Sequence, residues 1–470
     1  MRLLGPGGRT ATLYIALAGL QRGMPLIILP FISQVMSPAE YGAASLLTAS
    51  SLFLVTIVAA PLEALVFRAA ARPDDNSQPA LRIAGLYCYV VVPTSFAIIG
   101  GAIPLFSHEI LGVKSDLWTI ALIAVGFQPA MTYFAVPLSQ ARRNLARYAS
   151  ITTMSIVLLA SSKIMLLVVW QLGVFGWVLS DLIGALTSAA LAMTLVRLPP
   201  GPVDRRHIRF VANFVVPLVP HRASVWAIRS LSKPALAIVS SLTQVGLLSL
   251  GQNIASIATL LLAEINRAAL PQYSRESFPA PTAQTYRPAS LQMVLAFAIP
   301  SLVASALALV GQYVFPQSYW DSFSISGILL IGQAAFGLYI IPSNYLIQTA
   351  GATKQIGLVA GASAIIVLAS LPALGKNYGA MGAALATTVG FFGALLMSMI
   401  MPRILRLRIR WRSWVSHWPE ISLSILALVG STASLLLPVG STPARVLAAA
   451  STLPVVIALV LHMRFARPSQ

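Results

Sequence analysis

Runs of 20 or more apolar residues recur from one end of the chain to the other, separated by short polar connections. A helix needs about 20 such residues to cross the ~30 Å hydrocarbon core, because each residue adds about 1.5 Å. Fourteen spans can be placed on this basis, at roughly 11–36, 41–66, 83–106, 117–141, 147–171, 174–196, 210–231, 236–269, 289–315, 323–350, 355–375, 378–402, 419–438 and 443–463. The eighth is longer than a bilayer requires, which predicts tilt or an extension past one surface. The short alternating segments of a membrane β-barrel do not occur. The pattern predicts an all-α polytopic membrane protein.

Composition supports this reading. Of the 470 residues, 57% are hydrophobic and only 9% are charged, with a mean hydropathy of +0.82; soluble domains carry about 25% charged residues. The formal net charge of +19 would suggest nucleic acid in a soluble protein, but its distribution gives it another meaning. The N-terminus, the connections after even-numbered spans and the C-terminus hold 23 Lys and Arg residues. The opposite connections hold four, namely Lys114, Lys233, Lys376 and Arg445. Cytoplasmic connections collect Lys and Arg, so both termini are predicted to be cytoplasmic and no nucleic-acid partner is implied. Arg2 and Arg9 precede an apolar run that continues as a full span, which reads as a first transmembrane helix rather than a cleaved signal. The lone Cys88 allows no intramolecular disulfide.

The longest connection, RLPPGPVDRRHIR at 197–209, combines Pro, Gly and charge and marks a linker near the middle of residues 1–402. The two sides of it look related. VMSPAEYGAASL (35–46) resembles SSLTQVGLLSLG (240–251), setting Tyr41-Gly42 against Val245-Gly246 at an offset of 204. LGVFGWVLSDLIGAL (172–186) resembles YGAMGAALATTVGFF (378–392), pairing Gly173 and Gly176 with Gly379 and Gly382 at an offset of 206. Six spans lie between the repeats, so the halves share parallel topology about an axis along the membrane normal. The predicted organisation is a six-helix bundle at 1–200, a second at 201–402 and a further helix pair at 403–470.

Four basic residues remain inside spans: Arg22, Lys163, Arg222 and Arg229. A charge at bilayer depth costs about 2.5–3.5 kcal/mol on insertion scales and normally faces a cavity or a partner. Arg222, Trp226, Arg229 and Lys233 recur at the spacing of one helix face, and Pro217 and Pro220 can break the helix just before it. His221 lies one residue off that face and reads equally as a structural histidine or a ligand. Lys163 and Asp181 sit in consecutive spans, where an intramembrane pair is the plainer reading and a role in transport coupling the sharper one. Glu264, the other candidate for coupling, is three residues from Arg267, and Glu63 is near Arg68; both read as pairs at an interface. No metal-ligand spacing, nucleophile elbow or phosphate loop is found, so neither a metal nor a cofactor is expected.

Four stretches carry a family resemblance: LPFISQVMSPAEYGAASLL (29–47), VVPLVPHRASVW (215–226), QVGLLSLGQNIASI (244–257) and NYGAMGAALAT (377–387). In this order they resemble the polysaccharide (O-antigen) flippases of the multidrug/oligosaccharidyl-lipid/polysaccharide exporter superfamily, over roughly residues 10–402. The resemblance implies a non-enzymatic, V-shaped transporter of the bacterial inner membrane, MATE-like, with two bundles around a cavity that opens alternately to each side. It also implies a substrate, an undecaprenyl-diphosphate-linked oligosaccharide turned to the outer leaflet for surface polysaccharide assembly, and a polymerase and export machinery as possible partners. Where the family often has an Asp-Arg pair after the seventh helix, this chain has Ser232-Lys233. Arg22, Arg222 and Arg229, with His221 and Trp226, are the expected substrate-binding set. Two other readings stay open. One is an ion-coupled exporter of cationic small molecules; the other is a membrane polymerase or ligase, which would need a larger outward loop than any found here.

Overall fold

The turn after the first span shows how local chemistry punctuates this apolar chain. Ser37 accepts a hydrogen bond from the Glu40 amide while the Glu40 carboxylate accepts from the Ser37 amide at 2.9 Å, with Pro38 opening the helix. This reciprocal cap satisfies donors that a helix start leaves unpaired, which no apolar neighbour can do.

The computed structural model describes residues 6–71, 75–200 and 203–465. In the first half the helices are α1 Pro6–Val35, α2 Pro38–Val58, a short unnumbered helix Leu62–Ala71, α3 Ser77–Phe106, α4 Ser115–Ala141, α5 Leu145–Val169 and α6 Gly173–Leu195. Then come α7 Arg205–Val215, α8 Val219–Ser230, α9 Ser232–Val239, α10 Leu242–Tyr273, α11 Ala283–Val314 and α12 Gln317–Thr349. The segment Thr353–Ile404 contains two helices, α13 and α14, joined at Gly379, where φ is 56° and ψ is −131°. The chain ends with α15 Trp418–Ser434 and α16 Thr442–Phe465. Among the described residues, 10 segments are long and apolar enough to cross a membrane, the Thr353–Ile404 pair counting as one. The protein is an all-α polytopic membrane protein. The predicted eighth span at 236–269 is not one tilted helix: it comprises part of α9, a break at Ser240 and most of α10.

Two prolines within spans are accommodated by widened turns. Pro93 and Pro137 each follow a π-helical stretch, Tyr87–Val91 and Ala130–Ala135. A proline clashes with the carbonyl four residues back, and a wider turn moves that carbonyl away. A small hairpin pairs Glu109–Ile110 with Val113–Lys114, its two turn residues Leu111 and Gly112 both at positive φ.

The helices group into two compact units, Met1–Trp226 and Ala227–Gln470. In the first, Val211, Phe210 and Phe214 of α7 pack into the core formed with Leu65, Leu81 and Phe134, so this unit extends past the linker of 197–209. In the second, α15 and α16 pack on α11, where Ile421 and Ala458 enclose Val294. The last helix pair is thus part of that unit's core.

Candidate functional site

The charged segment around Pro217 is broken as its prolines predict. Val216–Leu218 forms a single 3-10 turn between α7 and α8, and α8 carries His221, Arg222, Trp226 and Arg229. A second interruption follows at Leu231, because Pro234 has no N–H to donate to the Ser230 carbonyl. Lys233 therefore lies on α9, just past this interruption, where Leu231 keeps helical backbone angles. The side chains of Arg22, His221 and Arg229 lie outside the described residues.

Arg222 is paired. Its guanidinium donates to Glu63 Oε2 at 3.0 Å, with each side chain about one-third exposed (36% and 35%). This replaces the expected partnership of Glu63 with Arg68, five residues along the same helix and so not its nearest neighbour on the surface. Arg68 instead lies over the Phe214 ring, 5.3 Å from its centroid. One turn beyond Arg222, Trp226 is buried and stacks on Phe53 at 4.2 Å, its indole N–H without a hydrogen-bond partner among the described residues. In this structure Trp226 anchors α8 to α2 rather than facing an open space.

A second polar centre lies between α2, α5 and α6. Lys163 Nζ is 2.9 Å from Asp181 Oδ1, and the same ammonium sits 3.5 Å from the centre of the Trp177 ring. The indole N–H of Trp177 donates to Thr48 at 3.1 Å, and Tyr41 meets the ring edge-on. Carboxylate on one side and aromatic face on the other solvate a buried ammonium that water does not reach. This arrangement joins the three helices through one charge.

The second unit holds a polar network that the charge pattern did not reveal. Asn266 accepts hydrogen bonds from Asn344 at 2.6 Å and from Gln292 at 3.0 Å, while Tyr273 donates to Gln292 at 2.7 Å. Beside it, buried Glu276 accepts from the Thr285 hydroxyl and the Thr282 amide, and the Thr285 and Tyr345 hydroxyls pair at 3.0 Å. Neutral amides and hydroxyls carry no signal in a span-by-span charge count, so only their meeting in space identifies them. Glu264, the other coupling candidate, holds Arg267 at 2.7 Å. A cavity of about 640 Å³ lined by Arg403, Arg410 and Arg412 shares Trp411 with an apolar groove of about 310 Å³ that runs along Phe297, Met399 and Trp418.

Residues 8–276, more than half of the chain, match the family model described as polysaccharide biosynthesis protein. The chain belongs to that family. No curated protein matches it by sequence. Among solved structures, this polysaccharide biosynthesis family member is similar to the lipid II flippase MurJ in its inward closed conformation, with a TM-score of 0.74 at 12% identity over 97% of this chain and 100% of that one. It is also similar to an inward-facing multidrug resistance MATE family transporter of the MOP superfamily, with a TM-score of 0.61 at 12% identity over 82% of this chain and 94% of that one. At such identity the likeness establishes the fold, which is that of MOP transporters.

Proposed function

We propose that this polysaccharide biosynthesis family member is a flippase that moves a lipid-linked oligosaccharide, carried on undecaprenyl diphosphate, from the cytoplasmic to the outer leaflet of a bacterial inner membrane. The product would feed assembly of a surface polysaccharide such as O-antigen, capsule or exopolysaccharide. The observation that carries this reading is the state of the carboxylates inside the spans. Glu63 is held by Arg222, Asp181 by Lys163 and Glu264 by Arg267. A cationic drug needs a carboxylate that is both free and within reach; these three are already neutralised, and Glu420 of α15 is only 1% exposed, which argues against the exporter reading. An arginine paired with one carboxylate can exchange it for a phosphate, which offers more oxygens to the same planar fork.

In this reading Arg222, with Arg22 and Arg229, receives the diphosphate, whose unpaired charges are very costly in a low-dielectric interior. The neutral polar residues of the second unit, Asn266, Gln292 and Asn344, suit sugar hydroxyls, and the apolar groove beside Trp411 suits a polyprenyl chain. A transporter of this kind moves its substrate without making or breaking bonds, which sets this reading apart from that of a polymerase or ligase.

Reconstitution tests the reading. Proteoliposomes containing the purified protein should move a fluorescent undecaprenyl-diphosphate oligosaccharide between leaflets faster than protein-free vesicles. Exchange of a cationic dye against a proton or sodium gradient, with the lipid left in place, would favour the exporter instead.

A further inference from the structure

Three side chains in the last helix pair stand apart from every feature considered above. His417 ends a 3-10 turn, Glu420 lies in the first turn of α15, and His462 lies in the last turn of α16. The i,i+3 spacing puts His417 and Glu420 on one side of the helix start, and the packing of α15 on α16 brings His462 to meet them. One ligand-capable atom from each residue lies within 4.8 Å of the others. His417 Nδ1 is 3.5 Å from Glu420 Oε1, and the two imidazole rings are 5.2 Å apart.

Burial makes this grouping unusual. Glu420 is 1% exposed and His462 is 6% exposed. Among the described residues, neither Glu420 oxygen and neither of the two Nδ1 atoms has a hydrogen-bond partner. Ile421, next to Glu420 in the chain, and Ala458, one turn before His462, both belong to the buried apolar cluster around Val294. A carboxylate buried without donors is strongly disfavoured unless a cation neutralises it, and two buried imidazole nitrogens without partners add to the penalty.

We propose that His417, Glu420 and His462 bind a divalent transition metal ion of the zinc type, which ties the start of α15 to the end of α16. Such an ion satisfies the carboxylate and both imidazoles together. Two nitrogens and one carboxylate suit zinc and its neighbours better than calcium or magnesium, which prefer all-oxygen shells. Zinc–nitrogen bonds of about 2.0–2.1 Å need the three side chains to close by roughly an ångström, and three protein ligands leave a fourth position for water. Tyr286, whose ring lies 5.4 Å from that of His417, donates its hydroxyl to the Ser413 carbonyl, which holds the turn carrying His417 in place.

The test uses the full-length, tag-free protein in detergent, stripped with a chelator and titrated with Co²⁺ and then Zn²⁺. One Co²⁺ per chain should bind with the intense visible bands of tetrahedral cobalt, Zn²⁺ should displace it, and Zn²⁺ should raise the melting temperature. Glu420→Gln, which keeps the side-chain shape, and His462→Ala should each weaken binding about tenfold or more and lose the bands. His207→Ala, in the first turn of α7, should change neither. No bands and no Zn²⁺-dependent melting shift in the wild type would overturn the proposal, as would binding that survives both substitutions. If one variant does not fold, the wild-type titration and the other variant still decide.

Discussion

Gln244 accepts a hydrogen bond from the Ala380 amide at 2.8 Å, reaching across from the start of α10 to the point where α13 turns into α14. The residue before that amide, Gly379, has φ of 56° and ψ of −131°, and a Cβ there would lie 2.5 Å from Gln244 Oε1. The first unit repeats the device. Glu40 Oε1 lies 2.9 Å from where a Cβ on Gly173 would stand, and Gly173 also has positive φ, at 55°. Ser37 caps the helix that carries Glu40, and Ser241 caps the one that carries Gln244. The sequence offsets of 204 and 206 thus mark one structural device built twice.

Substitution of either glycine by alanine should therefore destabilise the protein by about 1–3 kcal/mol, the usual cost of forcing a side chain into such backbone. Gly351, which has positive φ but open space around it, should suffer strain without collision and lose less. Melting temperatures of detergent-purified Gly379→Ala, Gly173→Ala and Gly351→Ala check the order.

The Lys163–Asp181 pair should behave as a unit. Its side chains are 11% and 22% exposed, and removing one partner of a buried pair typically costs about 3–5 kcal/mol. Lys163→Met and Asp181→Asn should each lower the melting temperature, and the double change to Met and Leu should recover much of the loss. Transport by the recovered double variant would make the pair structural. Its failure to transport while folded would assign Asp181 to ion coupling.

Much of the fold was legible because its signals are local. Spans follow from apolar runs, and each repeat from single-residue demands at Ser37, Glu40 and Gly173. The candidate site was legible only in part. The spacing of Arg222 and Arg229 is visible in the chain, but Glu63 is 159 residues from Arg222 and nothing local ties them. The missing N–H of Pro234 divides α8 from α9 in a way that helical periodicity alone does not reveal. His417 and Glu420 lie on one turn, yet His462 comes from another helix, so no short spacing announced the cluster.

Topology follows from charge. Reporter fusions after Arg147, Arg209 and Arg412 should all report the cytoplasmic side, because these connections carry the basic residues. One external signal among them would move a span boundary and, with it, the side on which Arg403, Arg410 and Arg412 line their cavity.

Flippase activity and the role of the three arginines are tested together by a leaflet-resolved measurement of lipid-linked oligosaccharide in cells lacking the gene, complemented with wild type or with a stably expressed Arg22→Ala/Arg222→Ala/Arg229→Ala variant. The intermediate should accumulate in the cytoplasmic leaflet without the gene; wild type should clear it, and the triple variant should not. Normal appearance of the oligosaccharide in the outer leaflet with the triple variant would contradict the cationic route, and no accumulation in the deletion would contradict the flippase itself.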